Sequence, residues 1–365
     1  MDSPPATASS HWNVGETLAD RFRAHVRNAE HLYGYAIRGM AEDWEAGGPV
    51  REVCRGYENA PRGAVIDLPL LAGIFRLVLT GRAPELVRFY PCLGGTAPAS
   101  QAWPVIRQVI GAHVEEMHAA LAVPPQTNEV GRSAALLAGL FDLVAASGVR
   151  RIRLLELGAS AGLNLLLDKY AYRGTSWHFG SMDSKLQFVD PIEGPIQPEP
   201  FVISDRAGCD LHPVDAGTVE GRLLLTSFVW PFDLHRHDRL RSALAVATMH
   251  PMHIDKAMAS SWLPAALGVN HDGLPVVWHS ITQMYWPSEE VTAVQSILTN
   301  YGARQRLGEV SLEYDFRDQR AVKPELRTRL WSPDSGNPIR ERLVGAAHDH
   351  GIPVTLADTV STESS

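Results

Sequence analysis

Residues 151–169 constrain the fold more than any other stretch of this 365-residue chain. Ile152, Leu154, Leu155 and Leu157 form a short apolar run with almost no polar relief, the pattern of a parallel strand buried on both faces. Small residues follow, Gly158-Ala159-Ser160-Ala161-Gly162, and then the helix-like stretch Leu163–Lys169. Strand, small-residue loop and helix is the geometry in which a ligand meets backbone N–H groups at a helix start. A dinucleotide loop needs G-x-G-x-x-G, and Ser160 and Leu163 stand where its second and third glycines belong. A Walker A loop ends in Gly-Lys-Ser/Thr, whereas Gly162 leads into Leu163-Asn164. Both phosphate-cradling patterns fail.

Two patterns remain. Gly158-Ala159-Ser160-Ala161-Gly162 matches the nucleophile elbow G-x-S-x-G, which makes Ser160 a hydrolase nucleophile and asks for an acid and a histidine downstream, Asp315 with His348 or His350. That fold places several strands and an oxyanion loop before the elbow, where this chain offers helical patterns, and it has no use for an acid at Glu156. The same residues also resemble the E/D-x-G-x-G-x-G loop of class I S-adenosylmethionine methyltransferases, with Ser160 in place of the middle glycine. That resemblance implies S-adenosylmethionine as cofactor, Glu156 near its methionine amino group, and Gly158, Ala159, Ser160 and Gly162 passing beneath it. A second motif, Arg206-Ala207-Gly208-Cys209-Asp210-Leu211-His212-Pro213, looks like the end of the second strand of such enzymes. There an acid takes both ribose hydroxyls, because the two oxygens of a carboxylate satisfy two vicinal donors. Asp210 is that acid and Leu211 its neighbour in the cofactor set, although the alternative of a loop-capping aspartate stands beside it. The gap from Glu156 to Asp210 exceeds the ~20 residues usual for ribose acids, so an insertion near 172–200 is expected, with Pro191–Pro200 as loop.

The remaining elements follow from periodicity. Before residue 148 the apolar residues recur at helical spacing: Leu71, Ile74, Phe75, Val78 and Leu79; Val105, Val109, Ile110 and Val114; then a helix from Arg132 to Ala146. After it, strands are expected at Phe201–Ile203 running to Asp210, at Leu223–Val229, Val276–Ile281, Leu307–Phe316 and Leu326–Trp331. Helices fall at His235–Thr248, Ser260–Leu267 and Ser288–Asn300, the last with Ser288 as N-cap. Val310, Leu312, Tyr314 and Phe316 alternate with Ser311, Glu313, Asp315 and Arg317, which predicts a strand with one wet face, antiparallel near the sheet edge. The fold class is α/β: a Rossmann-like class I methyltransferase sheet preceded by an all-helical N-terminal unit. The expected domains are a helical one over 16–148 and a cofactor-binding one over 149–358, with disordered tails at 1–15 and 359–365.

Net charge −8 and a pI near 6.0 give no general attraction to nucleic acid. Three scattered cysteines offer neither a disulfide framework nor a zinc site. No signal peptide or membrane span is visible, so a cytoplasmic protein acting on a small molecule is expected, with its oligomeric state left open.

The sequence is similar over His31 to Gly351 to an uncharacterised bacterial family, abundant in actinobacteria, that is catalogued as a domain of unknown function with a methyltransferase-like core. The carriers are Arg88-Phe89-Tyr90-Pro91, Gln126–Arg132, Leu155–Leu165, Gly208–Pro213, Ser227–Pro231 and Val277–Ser280. The family tends to show an acidic Asp-Ala step for the adenine side of the cofactor; Met258-Ala259 stands there in this chain, leaving Asp255 as substitute.

Other residues carry chemistry beside a plainer role. Asn128, Glu129 and Arg132 either cap the following helix or line the pocket mouth as substrate-binding groups. His279, at the end of an apolar run, is a base candidate by its near-neutral pKa or a buried histidine bonded to backbone. Tyr285, a second catalytic candidate, and Trp286 can wall the pocket, as can Trp230, over which the helical unit would close. A metal at Asp233, His235, His237 and Asp238 is disfavoured because alternate residues of a helix do not share a face; His250, His253, His348 and His350 lack a third partner in sequence. A non-catalytic protein retaining the fold is the remaining alternative.

Overall fold

The computed structural model describes residues 17–26, 29–60, 65–315, 323–333 and 337–357. The phenylalanine and arginine at 316 and 317, and both expected tails, lie wholly or mostly outside them. In chain order the helices are α1 Leu18–Val26, α2 Leu32–Glu45, α3 Pro49–Val53, α4 Asp67–Leu79, α5 Trp103–Ala112, α6 Val114–Ala120, α7 Ser133–Ser147, α8 Val219–Ser227, α9 Leu234–Met249, α10 Ala259–Gly268 and α11 Ser288–Gly302. The strands are β1 Arg151–Leu157, β2 Ala171–Arg173, β3 His178–Gly180, β4 Gln187–Val189, β5 Ile192–Glu193, β6 Val202–Asp210, β7 Asp255–Lys256, β8 Leu274–Ser280, β9 Leu307–Glu313, β10 Glu325–Trp331, β11 Arg340–Ala347 and β12 Val354–Leu356. The chain is α/β, with one large mixed sheet and a helical N-terminal region.

Two compact units emerge: residues up to Thr127 with Thr218–Asp238, and Asn128–Gly217 with Arg239 onward. The boundary expected at 148 thus falls at 127/128. The first unit is helical among its described residues, around a core that includes Phe22, Tyr33, Ile37, Met40, Leu70, Phe75, Ile106 and Met117. It also takes in the expected strand Leu223–Val229, whose first five residues lie in helix α8 and whose last two follow it. Thr218 starts that helix by accepting from Gly221 N at 3.0 Å, and a satisfied cap at the first turn decides for helix where an apolar run alone cannot.

The second unit is built on a nine-stranded sheet in the order β5-β12-β11-β10-β9-β8-β1-β6-β7. β7, β6, β1, β8 and β9 run parallel, and β10 and β11 are antiparallel to their neighbours. β8 is buried along its whole length and β1 at every residue but the first, so the polar residues within them, Arg153, Glu156, His279 and Ser280, are buried with the apolar ones. One face packs Leu155, Leu157, Val277 and Leu307 with Leu263, Leu267, Val294 and Leu298 of α10 and α11, each leucine contributing about 1.5–3 kcal/mol.

α7 belongs to this unit. Val130–Ser147 is long and apolar enough to cross a membrane by length and composition, and 72% of it is buried inside the protein. Its Asp142, 9% exposed, accepts from Thr328 at 2.7 Å, from Arg340 at 2.5 and 2.9 Å and from Arg342 at 2.7 Å. A buried carboxylate needs such company, and it ties α7 to β10 and β11. The insertion expected near 172–200 is a small sheet in the order β3-β2-β4, closed by Tyr172 stacked on Phe188 at 5.0 Å and Phe179 on Phe201 at 4.7 Å.

Three local expectations are corrected. β9 is not an edge strand with a wet face: it lies inside the sheet, antiparallel to β10 and parallel to β8, and six of its seven residues are buried. Its polar positions Glu309 and Glu313 point at a buried histidine, so alternation here marks a buried ion network rather than solvent. Ser288 is the first residue of α11 and Pro287 its cap. After the small-residue loop comes a 3-10 helix, Asn164–Lys169, broken at Leu166 with φ −91° and ψ 16°, rather than an α-helix.

Candidate ligand site at the ends of the central strands

The glycine loop leaves β1 through left-handed backbone at Gly158 (φ +71°), Ser160 (φ +52°) and Gly162 (φ +70°). Such angles come without penalty for glycine and cost a serine about 1–3 kcal/mol, so the surroundings must hold Ser160 in place. They do. Gly158 N and Ala159 N donate to Cys209 O at 2.9 and 3.0 Å, Gly162 N to Ala159 O at 2.7 Å, and Val214 N to Ser160 O at 3.0 Å. Ser160 N donates to Asp210 Oδ2 at 2.8 Å. Four of the loop's N–H groups are therefore spent inside the protein, and the loop is no phosphate cradle.

Gly208 makes this closeness possible. It sits opposite Glu156 in the β1–β6 register, and a Cβ there would lie 2.9 Å from Ala159 Cβ. Since side chains alternate along a strand, Asp210, two residues beyond Gly208, projects from the same face as Glu156. The two acids converge at the ends of neighbouring strands. Asp210 Oδ1 accepts from His212 N at 2.8 Å and Oδ2 from Ser160 N; each oxygen retains a further lone pair. Glu156 is 2% exposed. Burial, its largest influence, drives the carboxyl up to about 8, with Asp210 adding and Asn164, Trp278 and Arg132 opposing.

Asn128 grips the loop from the other side. Its Nδ2 donates to Ala159 O at 3.1 Å and its Oδ1 accepts from Leu163 N at 3.2 Å, from a backbone at φ +28°. Glu129, buried, accepts from Gly131 N at 3.1 Å and from Arg239 at 3.3 Å, with His350 Nδ1 at 3.8 Å; these are internal bonds rather than a pocket lining. Arg132 reaches across to Asp349 O at 2.9 Å and Ser280 O at 3.3 Å, so it joins the end of β8 to the turn after β11.

His279 is not placed as a base. Its ring is 0% exposed, with Nε2 3.1 Å from Glu309 Oε1 and Nδ1 2.9 Å from Glu313 Oε1. Burial works to lower its pKa, but the two carboxylates prevail and carry it up to about 9. Glu309 is held low by His279 and Arg329 against its burial, and Glu313 also accepts from Thr282 N at 3.2 Å and Gln283 N at 3.4 Å. An imidazolium with both nitrogens engaged has no lone pair to offer. What it does is fix the turn after β8, whose Thr282 side chain packs over Gly158.

The other expected residues divide. Leu211 is exposed beside Asp210, and Tyr285 is partly exposed in the 3-10 turn Gln283–Tyr285. Burial raises the Tyr285 phenol while Arg132 lowers it. Asp255 lies in β7 opposite Cys209 and accepts from Trp262 Nε1 at 2.7 Å. Trp230 sits in the helical unit in a cluster with His31, Tyr33 and Phe232, at ring separations of 5.2–5.8 Å. His237 there packs edge-on to Phe75 at 5.9 Å, and no group of three or more His, Cys, Asp or Glu among the described residues is arranged to hold a metal ion.

Asn164, Trp278, Glu309, Glu313 and Thr282 were not expected at the site. For Asn164 a signal existed: a polar residue in the apolar run Leu163–Leu167 has to meet a polar partner. Neither curated proteins nor solved structures yield a match to the chain. A family model does, over residues 16–355, and the chain belongs to that family, described as uncharacterized protein conserved in bacteria (DUF2332).

Proposed function

We propose that the second unit binds S-adenosylmethionine and transfers its methyl group to a small molecule, as a cytoplasmic enzyme with a Rossmann-like core. The observation that carries this reading is the convergence of Glu156 and Asp210 on one face of adjacent parallel strands, either side of a loop whose N–H groups are already committed. The strand order β7-β6-β1-β8-β9 supports it, because crossovers to opposite sides of β1 open a crevice at the strand ends between β1 and β8. Asp210 would take the ribose hydroxyls, Glu156 the amino end, and Leu211 with Asp255 would flank the base. When bound, the cofactor supplies a sulfonium methyl open to in-line displacement, so the chain's contribution is chiefly position. Since His279 is sealed, the acceptor is either a nucleophile needing no base or one served by Tyr285.

Calorimetric titration with S-adenosylmethionine and S-adenosylhomocysteine tests this. Binding by the native chain is expected, weakened roughly a hundredfold in Asp210→Asn as hydrogen bonds to a charged acceptor are lost; absence of heat from both ligands removes the reading. The left-handed backbone at Ser160 (φ +52°) favours a second one, a hydrolase elbow, although the segment after it is a broken 3-10 helix. Labelling by a fluorophosphonate probe that is abolished in Ser160→Ala would establish the hydrolase in its place.

A further inference from the structure

At the other end of β6 from Asp210, two strand edges line one groove with no strand between them among the described residues. β3 is the outer strand of the small sheet, and β7 pairs with β6 only at Cys209 and Asp210. The groove encloses about 460 Å³, with Phe179, Gly180 and Ser181 on one side and Phe201, Val202 and Ile203 on the other. Small-ligand sites occupy roughly 300–1,000 Å³.

Its chemistry follows from the backbone first. Ser181 N donates to Tyr170 O at 2.9 Å, so the Gly180 carbonyl, on the opposite side of the same trans peptide plane, points away from β2. Val202 N donates to Arg150 O at 2.9 Å, and for the same reason the Phe201 carbonyl points away from β1. Val202 spends its ladder bonds on β1, so Ile203 after it turns its N–H outward. Two acceptors and a donor thus stand at unpaired edges, the complement of one stretch of extended polypeptide. The floor is apolar: Phe179 and Phe201 stack at 4.7 Å, and Phe141 of α7 backs them edge-on at 5.7 and 5.9 Å. The remaining wall, Asp168 and Lys169, is cationic. Arg206 binds both Asp168 oxygens, at 2.6 and 3.0 Å, and so matches its charge. Lys169, with Nζ 2.9 Å from Asp168 Oδ2 and 35% of its side chain exposed, carries the surplus positive charge and further N–H donors.

We propose that this groove is a second binding site of the unit and takes an extended peptide ending in a free α-carboxylate. Peptide N–H groups donate to Gly180 O and Phe201 O, a peptide carbonyl accepts from Ile203 N, an apolar side chain covers Phe179 and Phe201, and the carboxylate meets Lys169. A simple anion such as phosphate would satisfy Lys169 alone and leave both edges unpaired. The site is separate from Glu156 and Asp210, which close the opposite ends of β1 and β6, and so is independent of what those acids bind.

The test is fluorescence anisotropy with labelled pentapeptides ending in valine, leucine or phenylalanine, each made as the free acid, as the C-terminal amide and as the acid with N-methylated backbone. The native chain is expected to bind at least one of the free acids with a Kd of roughly 10–100 μM. Its amide should bind about tenfold more weakly, because a charge-assisted bond is lost, and its N-methylated form roughly two- to tenfold more weakly. Lys169→Met should bind acid and amide alike, at the affinity of the amide. Ser181→Trp, at an exposed position on the groove wall, should bind none of them; circular dichroism checks the fold of both variants. No saturable binding of any peptide at millimolar concentration overturns the proposal, as does binding undiminished in Ser181→Trp, which places the peptide elsewhere. Equal affinity for acid and amide overturns the carboxylate assignment, and indifference to N-methylation overturns the pairing with the two edges.

Discussion

Replacing His279 by phenylalanine keeps a ring of similar size in a fully buried position while removing a charge and two hydrogen-bond partners. The consequences follow from its neighbours. Glu309, 1% exposed, would keep only the Arg329 contact at 2.6 Å and the Gln295 interaction. Glu313 would keep the N–H groups of Thr282 and Gln283. Breaking a buried ion pair from one side costs about 3–5 kcal/mol. Linkage gives a similar size: a histidine lifted from 6.5 to about 9 stabilises the fold by about 3 kcal/mol at most, at about 1.4 kcal/mol per pH unit. The folded value lies above the unfolded one, so this stabilisation is complete below pH 6.5 and is lost as pH rises through about 9. Because two compact units need not unfold together, hydrogen exchange followed by mass spectrometry on peptides covering β8 and β9 is the suitable assay. Protection there should drop by roughly a hundredfold or more in His279→Phe at pH 7, with the gap between variant and native chain narrowing as pH rises from 7 to about 9. A Glu309→Gln change added to it should recover part of the loss. A deficit below about 1 kcal/mol, together with native protection that does not depend on pH between 7 and 10, would refute the ionised network.

Other outcomes are expected from the loop. Asn128→Ala leaves Leu163 N and Ala159 O without their partner, at about 1–3 kcal/mol, so affinity for S-adenosylhomocysteine measured by calorimetry should fall about tenfold while the circular dichroism spectrum is retained. Adenosine triphosphate at millimolar concentration should not displace bound S-adenosylhomocysteine in a competition titration, since the loop amides a phosphate would need are already donated to Cys209, Asp210 and Ala159.

The parts of this molecule legible in its sequence are those set by short-range pattern. The β1 run, the glycines that turn out of it and the helices α9, α10 and α11 fall close to where periodicity places them. Asp210 was likewise legible as an acid at a strand end. What escaped depends on partners far away in the chain. The polar alternation of β9 reads as a wet face until His279, more than two dozen residues earlier, is seen to occupy its acids. For the same reason His279 reads as a base: nothing near it in sequence announces two carboxylates. Leu223–Val229 reads as a strand because three consecutive leucines suit either state, and only the Thr218 cap and the company of the helical unit decide. α7 went to the wrong unit because its fellow members, Thr328, Arg340 and Arg342, lie nearly 200 residues on.

The chemistry of the site follows from which groups remain able to accept or donate. A loop of small residues at a strand end usually offers amides, and amides select anions. Here Gly158, Ala159, Ser160 and Gly162 have given theirs to the protein. The groups left at the ends of β1, β6 and β7 are carboxyls: Glu156, Asp210 and Asp255. A rim of acceptors selects for donors, which means hydroxyls, amines and ammonium groups, and it opposes phosphates by charge as well as by the lack of hydrogen-bond partners. The glycines therefore serve a different purpose from the one their pattern first suggests. By passing close under Thr282 and Ile254, they bring the acid of β1 and the acid of β6 towards one another, and Gly208 clears the floor between them.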